Sequence, residues 1–418
     1  MSLNAYIGID LGTSGCRAYA IDDNADIIAS SRQQFDSSHN QTEQNPAAHW
    51  SIVLQTLTEL LSQCQKYTVE SIAIDATSGS ILITDSVGKP LSPILMYNDN
   101  RAIDQSKQIA MIAPAESGAY GASSGLAKLL YLQHHTPVSE QHHLLHQVDW
   151  INFNLGVPLG ITDENNALKS GYDPITRHWP SWVNDLVSPS VLPKVVVPGT
   201  VIGGLSKQLC KQFKLSNQPA LVAGTTDSIA ALLATGAQKI GDAVTSLGST
   251  LVVKVISDKA IFLPEYGVYS HRIGDQWLVG GASNTGGAVL QHYFNNRELQ
   301  TLSKQINSKK VVPTYYPLLS KGERFPINDP NLLPQLAPRP ASDVDFLHAI
   351  LNGMAMIEQL AYQVLEQAGA PPIKSVRTVG GGAINTVWQT IRQQKIPVSF
   401  ITPKQTEAAY GAALLAKG

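Results

Sequence analysis

Two glycine-containing turns, each joining a pair of apolar runs, constrain the fold of this chain more than any other feature. The first, Ile7-Gly-Ile-Asp10-Leu-Gly-Thr-Ser-Gly15, is an apolar run that stops at a carboxylate and gives way to turn residues before residues 16–21 resume an extended pattern. The second, Thr245-Ser-Leu-Gly-Ser-Thr250, stands between the apolar runs 243–247 and 251–256. Both read as β-hairpins. Further short strands follow, at 27–30 in the first half and at 267–271 and 277–280 in the second. Asn45-Pro46 then offers a cap and a proline suited to a first helical turn, with Val53, Leu57, Leu60, Leu61 and Cys64 at helical spacing behind it. A strand over 69–75 ends in a second carboxylate, Asp75; in the second half the meander precedes a helical segment over 286–294, and a long apolar helix over 346–368 and a strand over 376–379 come later. The spacing predicts an α/β chain with a duplicated βββαβ unit and a cleft between its halves. Helices are expected over 204–215, 225–237, 286–294, 383–394 and 406–417, with 313–340 an ordered, proline-rich excursion. The domains are read as 1–230 and 231–405, with 406–418 returning to complete the first.

Composition narrows the function. The 418 residues carry 30 Lys+Arg against 32 Asp+Glu, a formal charge of −2 without any basic run, which argues against nucleic acid as a partner and for small molecules. No apolar stretch approaches the roughly 18 residues of a membrane span. Cys16, Cys64 and Cys210 are scattered with no metal-ligand spacing, and Met1-Ser2-Leu3-Asn4 has no basic segment of a secretory leader, so a reduced, cytoplasmic setting is expected.

Three turns carry chemistry-bearing residues: Asp10-Leu-Gly-Thr-Ser-Gly15, Gly224-Thr-Thr-Asp227 and Thr245-Ser-Leu-Gly-Ser-Thr250. Glycine lets backbone N–H groups approach a phosphate, hydroxyls add donors, and a nearby carboxylate can hold Mg²⁺ directly or through water. Any one of them is equally an ordinary tight turn; three together, two in corresponding positions, favour phosphate binding. Gly380-Gly-Gly-Ala383, between a strand and a helix, offers a flat backbone surface for a nucleotide, or else a close-packed turn. The chain has neither GxxxxGK[ST] nor the protein-kinase catalytic set. Gly121-Ala-Ser-Ser-Gly125 fits GxSxG but lacks the buried strand that a nucleophile elbow needs. His134, His135, His142, His143 and His146 cluster, with His142 and His146 suited to one helix face; without a completing carboxylate they read as core or solvated histidines. Trp179, Trp182 and Trp277 read as packing.

Taken in order, Ile7-Gly-Ile-Asp-Leu-Gly-Thr-Ser14, Gln44-Asn-Pro46 with Trp50, Asn98-Asp-Asn-Arg101, Gly224-Thr-Thr-Asp227, Ser246-Leu-Gly-Ser-Thr250 and Gly381-Gly-Ala-Ile-Asn385 resemble the motifs of the FGGY carbohydrate kinases. The resemblance implies two ribonuclease-H-like domains of the actin and hexokinase type, with a sugar and ATP between them. It also implies Asp227 as the base for the attacking hydroxyl, Asp10 as the residue orienting Mg²⁺ and touching the sugar, and Thr13 as a partner of the transferring phosphoryl group. Gly12, Thr13, Ser14, Gly248, Ser249 and Thr250 would meet phosphates; Gly381, Gly382, Ala383 and Asn385 would border adenosine. Ser78 and Asp99 would be sugar contacts, and Arg101 would support them. A helix N-cap is the bland alternative for Asp227. Asp75-Ala-Thr-Ser78 is similar to the Asp-Ala-Thr segment of ribulokinases, where xylulokinases usually carry Met-His-Gly and glycerol kinases Asn-Gln-Arg-Glu. The chain thus resembles the compact D-ribulose kinase group, with D-xylulose as the alternative substrate, a monomer or homodimer as the assembly, and low turnover of ATP without sugar. A chaperone-like or actin-like ATPase and a degenerate sugar-binding regulator are the rivals from other classes.

Overall fold

A computed structural model describes residues 3–36, 42–137 and 141–418. Met1 and Ser2, part of the terminus read above, lie outside the described residues. The chain divides into two compact units, Met1–Ala234 with Glu407–Gly418, and Thr235–Thr406. Among the described residues no helix is long and apolar enough to cross a membrane.

In unit 1, β1 (Leu3–Leu11), β2 (Gly15–Ile21) and β3 (Ile27–Gln34) form the expected antiparallel meander. A two-residue β4 (Glu43–Gln44) leads into α1 (Pro46–Gln63), whose first turn is set as the sequence suggests: the Asn45 side chain accepts from the Ala47 N–H and Pro46 opens the helix. The apolar stripe of α1 buries Val53, Leu57 and Leu60 on Ile7, Ile9, Ile72 and Ile74 of the sheet. Each such side chain contributes about 1.5–3 kcal/mol. β5 (Tyr67–Ala76) runs parallel to β1.

β6 (Ile81–Asp85), β7 (Ile94–Leu95) and β8 (His142–His146) make a small sheet with β4, covered by α2 (Ile103–Ala110) and α3 (Gly125–His135). α4 (Gln147–Leu155), β9 (Ile161–Asp163), α5 (Glu164–Ala167), α6 (Ser181–Asn184) and β10 (Lys194–Val196) follow. β11 (Val201–Gly204), α7 (Lys207–Gln212), β12 (Ala220–Thr226) and α8 (Asp227–Ala234) return to the main sheet, whose order is β11-β12-β5-β1-β2-β3.

Unit 2 repeats the plan. β13 (Asp242–Leu247), β14 (Leu251–Ser257), β15 (Tyr269–Ile273) and β16 (Gln276–Ser283) precede α9 (Gly287–Tyr293), α10 (Asn296–Ser303) and the long α11 (Asp343–Gln367). β17 (Ser375–Val379) is parallel to β13, then α12 (Thr386–Lys395) and β18 (Ser399–Ile401) close a sheet ordered β15-β16-β14-β13-β17-β18. In both sheets an antiparallel meander is followed by two parallel strands, so β13, β14, β16, β17 and β18 stand where β1, β2, β3, β5 and β12 stand in unit 1. Its core gathers Val253, Val255, Val279, Leu347, Ile350, Met354 and Trp388.

The last helix, α13 (Ala408–Lys417), packs on unit 1, and glycine makes that possible. A Cβ on Gly8 would sit 2.0 Å from the Ala409 carbonyl oxygen, and one on Gly411 would sit 1.8 Å from that of Ala230.

Local readings fail where pairing overrides periodicity. His142 and His146 do not share a helix face: residues 142–146 pair with β6 as a strand, because cross-strand burial of Leu144 and Leu145 outweighs the weak helical spacing. His146 is a core residue held by Asp149 at 2.8 Å and Ser170 at 3.0 Å. Helix 204–215 shrinks to α7 because residues 201–204 pair with β12, and residues 381–384 form a 3₁₀ turn ahead of α12. In Gly121–Gly125, Ser124 caps α3 through the Ala127 N–H, and no strand precedes it.

Candidate active site

Parallel pairing builds the centre of unit 1. Asp10, at the end of β1, is in register with Asp75 at the end of β5, and Asp75 is in register with Thr225 of β12. Two residues later Asp227 opens α8. Three carboxylates thus gather at the C-terminal ends of three adjacent parallel strands, where open α/β sheets place ligands. Gly224 permits this: β12 shifts register there, and a Cβ would sit 1.8 Å from the Ile74 carbonyl oxygen.

The acids act on one another. Burial first, then the Asp227 charge, pushes Asp10 up to about 6, against the pull of Arg17, whose guanidinium stands 3.7 Å away and also binds Glu407 at 3.1 Å. Asp75 is fully buried and meets no donor among the described residues, so burial and then its neighbours Asp10 and Asp227 hold its proton far above the usual carboxylate range. Two facing carboxyls can bond only by sharing a proton, which fits Asp75 lying against Asp10. Asp227 accepts from the Ser228 N–H at 2.6 Å in the first turn of α8.

Around the acids lie two turns. In the β1–β2 hairpin, the Gly12 N–H donates to the Gly15 carbonyl at 3.0 Å, which leaves Thr13 and Ser14 at the tip. Residues 77–80 turn through Gly79 at φ 84°, and the Ser78 hydroxyl is buried without a hydrogen-bond partner among the described residues. Lys128, fully buried on α3, fixes this turn: its ammonium donates to Gly79 at 2.6 Å, Met96 at 2.8 Å and Leu95 at 3.3 Å, all carbonyl oxygens. Burial lowers that ammonium to about 7. Lys169 donates to the Ser78 carbonyl at 3.4 Å. Asp99 is buried and engaged by the N–H of Arg101 at 3.0 Å and by its guanidinium at 2.9 Å, which also reaches Glu43 at 2.7 Å.

Unit 2 carries the second hairpin and the glycine segment. The Gly248 carbonyl accepts from Gly287 at 2.8 Å and the Ser249 carbonyl from Ala288 at 3.1 Å, so the tip 248–250 is seated on the start of α9. Parallel pairing of Ser246 with Val379 brings Gly380 beside this hairpin: its φ is 86°, and a Cβ there would lie 2.8 Å from the Leu247 carbonyl. Gly381 has open space around it, whereas a Cβ on Gly382 would strike Trp388 at 2.5 Å. Ala383 lies in the 3₁₀ turn, and Asn385 caps α12 through the Trp388 N–H at 3.0 Å while donating to Ser303 at 2.9 Å. A buried Glu358–Arg392 pair at 2.6 Å ties α11 to α12 beneath it.

Of the residues singled out in the sequence for unit 1, Ser14 is exposed at the hairpin tip, Gly12, Thr13 and Asp227 are half-buried, Ser78 keeps a buried hydroxyl with no partner among the described residues, and Asp99 and Arg101 are bonded to each other. The sequence reading passed over Lys128, a lone cation inside Leu126-Ala-Lys-Leu-Leu130, and over Asp75 as a member of the acid group, although a strand ending in a carboxylate was its signal. Among the described residues no group of three or more His, Cys, Asp or Glu is arranged to hold a metal ion. The residues fit Mg²⁺ in the manner usual for a nucleotide site, one carboxylate with the remaining ligands from phosphates and water.

The profile of the FGGY family of carbohydrate kinases, N-terminal domain, matches residues 5–234, and that of its C-terminal domain matches 243–417. The xylulose kinase of Staphylococcus epidermidis is 22% identical over 98% of this chain and 87% of its own length. The xylulose kinase of Escherichia coli is 23% identical over 99% and 89%, and the gluconokinase of Bacillus subtilis 21% identical over 98% and 86%. The same fold is seen in crystal structures of a xyloylose kinase from Brucella ovis, with a TM-score of 0.88 at 23% identity over 99% of this chain and 90% of that one. It recurs in a gluconate kinase from Lactobacillus acidophilus, with a TM-score of 0.85 at 19% identity over 100% and 89%. With both domain profiles matched along almost its whole length, the chain belongs to the FGGY family of carbohydrate kinases.

Proposed function

We propose that the chain transfers the γ-phosphoryl group of ATP to O5 of a pentulose, D-ribulose, in one in-line step. The observation that carries this reading is Asp75, buried beside Asp10 and Asp227 and followed by the unpartnered Ser78 hydroxyl, in the segment that resembles ribulokinases. In this reading Asp227 takes the proton from the attacking hydroxyl, Asp10 orients Mg²⁺ and a sugar hydroxyl, and Ser78 donates to the sugar. Asp99, already committed to Arg101, anchors the neighbouring loop. Thr13 binds the transferring group, flanked by Gly12 and Ser14. Gly248, Ser249 and Thr250 hold the β- and γ-phosphates, and Gly381, Gly382, Ala383 and Asn385 border adenosine. Unit 1 is thus the sugar side and unit 2 the nucleotide side. The ion, when bound, neutralises charge on the phosphate oxygens; positioning and fixed donors supply the rest of the catalysis.

D-xylulose is the second reading, favoured by the names that several relatives carry. A panel of D-ribulose, D-xylulose, L-ribulose, gluconate, glycerol and a blank, with Mg-ATP, decides between them. D-ribulose is expected to give the highest kcat/KM with phosphate on O5, and Asp227→Asn to lower kcat by about 10²–10⁴. D-xylulose as the best substrate would replace the ribulose assignment, and an Asp227→Asn variant with full activity would remove the base.

A further inference from the structure

Gln44, in the Gln44-Asn45-Pro46 motif, ends a buried line of hydrogen bonds that lies wholly in unit 1. The Thr77 hydroxyl donates to Gln147 Oε1 at 2.7 Å. Gln147 Nε2 faces His49 Nδ1 at 3.0 Å and the Leu11 carbonyl at 3.4 Å. His49 Nε2 meets Gln44 Oε1 at 2.6 Å, and Gln44 Nε2 donates to the Thr13 carbonyl at 3.3 Å. Ser80 lies 2.6 Å from the Thr77 hydroxyl. His49, Ser80 and Gln147 are fully buried; Gln44 is 3% and Thr77 5% exposed. The line therefore joins the turn bearing Ser78 to the hairpin bearing Thr13.

Its polarity follows from what each group can do. A carbonyl only accepts, so the edge of Gln147 toward Leu11 and His49 is its NH₂, which leaves Oε1 for Thr77. His49 Nδ1 must then accept, which places the ring proton on Nε2, where it donates to Gln44 Oε1. The NH₂ of Gln44 is thereby turned to the Thr13 carbonyl. The Thr77 proton is committed to Gln147, so Ser80 donates to Thr77. Reversing any member would set two donors or two acceptors face to face in a dry interior.

We propose that His49 and Gln147 are positioning residues for phosphoryl transfer: as the Nε2–H tautomer, His49 closes a one-directional chain that fixes the phosphate hairpin 11–13 against the sugar turn 77–80. This rests on the roles given above to Thr13 and Ser78. Neither residue touches substrate; both act through backbone placement, where an error of about 1 Å can lower a rate about 10²-fold.

Full-length His49→Leu, His49→Gln, Thr77→Val and Thr77→Ser variants test the idea, assayed on whichever sugar the wild type phosphorylates fastest, so that a failed pentulose assignment leaves the test intact. A glutamine at 49 can still give NH₂ to Gln44 and accept from Gln147; leucine can do neither. His49→Leu is expected to lower kcat about 30–100-fold with both KM values within about 3-fold, and to raise the share of ATP hydrolysed without sugar phosphate formed. His49→Gln is expected to return kcat to within about 5-fold of wild type, and Thr77→Ser to outperform Thr77→Val. If leucine kept kcat while glutamine lost it, the site would be one of packing only and the proposal would fall. Should the His49 variants not fold, the Thr77 pair decides alone: equal kcat for Val and Ser overturns it. In the wild-type protein, ¹⁵N shifts of His49 must report the Nε2–H tautomer; Nδ1–H would overturn the chain's direction.

Discussion

At the scale of single residues, the centre of unit 1 concentrates like charge at a cost to stability. Asp10 and Asp75 both hold a proton more tightly in the folded chain than in the unfolded one, because burial and neighbouring carboxylates disfavour their ionised forms. The folded state therefore binds more protons than the unfolded state above the ordinary carboxylate pKa of about 3.8, and linkage makes stability fall as pH rises. For Asp10 the fall is spread between about pH 4 and about 6; for Asp75, pushed higher, it continues beyond. Asp75→Asn removes the ionisable group and supplies an amide donor to Asp10. Its melting temperature is expected to match wild type near pH 4 and to exceed it by about 3 °C or more at pH 8, at about 2–4 °C per kcal/mol. Melts at pH 4, 6 and 8 check this, and an advantage independent of pH would show that desolvation of this carboxyl is not its cause. The same substitution should lower activity, since sites that do chemistry keep groups that the fold alone would not choose.

At the scale of elements, what was legible in the sequence was whatever local chemistry sets. Asn45-Pro46 fixes the start of α1, and the turn glycines fix both hairpins, so these could be read without knowing what packs on them. Asp10 and Asp227 were legible for the same reason, each ending or following a strand. Lys128 and the His49 chain were not, because their partners lie 32–49 and up to 136 residues away, and no local spacing encodes them. Residues 142–146 misled because two histidines four apart fit a helix, while the strand pairing that wins is non-local. Helix α13 shows both sides: its helicity is legible, its docking is not. The docking depends on backbone contact at Gly411, where a Cβ would lie 1.8 Å from the Ala230 carbonyl, while Gly381 faces open space. Gly411→Ala is expected to lower the melting temperature by about 5 °C or more through overpacking that costs about 1–3 kcal/mol, and Gly381→Ala to change it by about 1 °C at most. Differential scanning calorimetry on both variants tests this; equal effects would mean that α13 can shift to make room.

At the scale of the whole molecule, the two units have separate hydrophobic cores and divide the proposed ligands between them. The carboxylates, Ser78 and Lys128 belong to unit 1, whereas the hairpin tip 248–250 and the segment 380–385 belong to unit 2. A ligand stabilises what it binds in the native state by RT ln(1 + [L]/Kd), so each should slow amide exchange first in its own unit. With a pentulose alone, at about 100 times its Kd, protection is expected over 74–80 and 225–230, worth about 2.7 kcal/mol where exchange follows opening of that unit. A non-hydrolysable Mg-ATP analogue alone should protect 246–252 and 380–388 instead. Hydrogen exchange read by mass spectrometry resolves these segments. Protection of 74–80 by the nucleotide alone, with none at 380–388, would reverse the assignment of sugar and nucleotide to the two halves, because the glycine segment beside Leu247 would then have no ligand to order it.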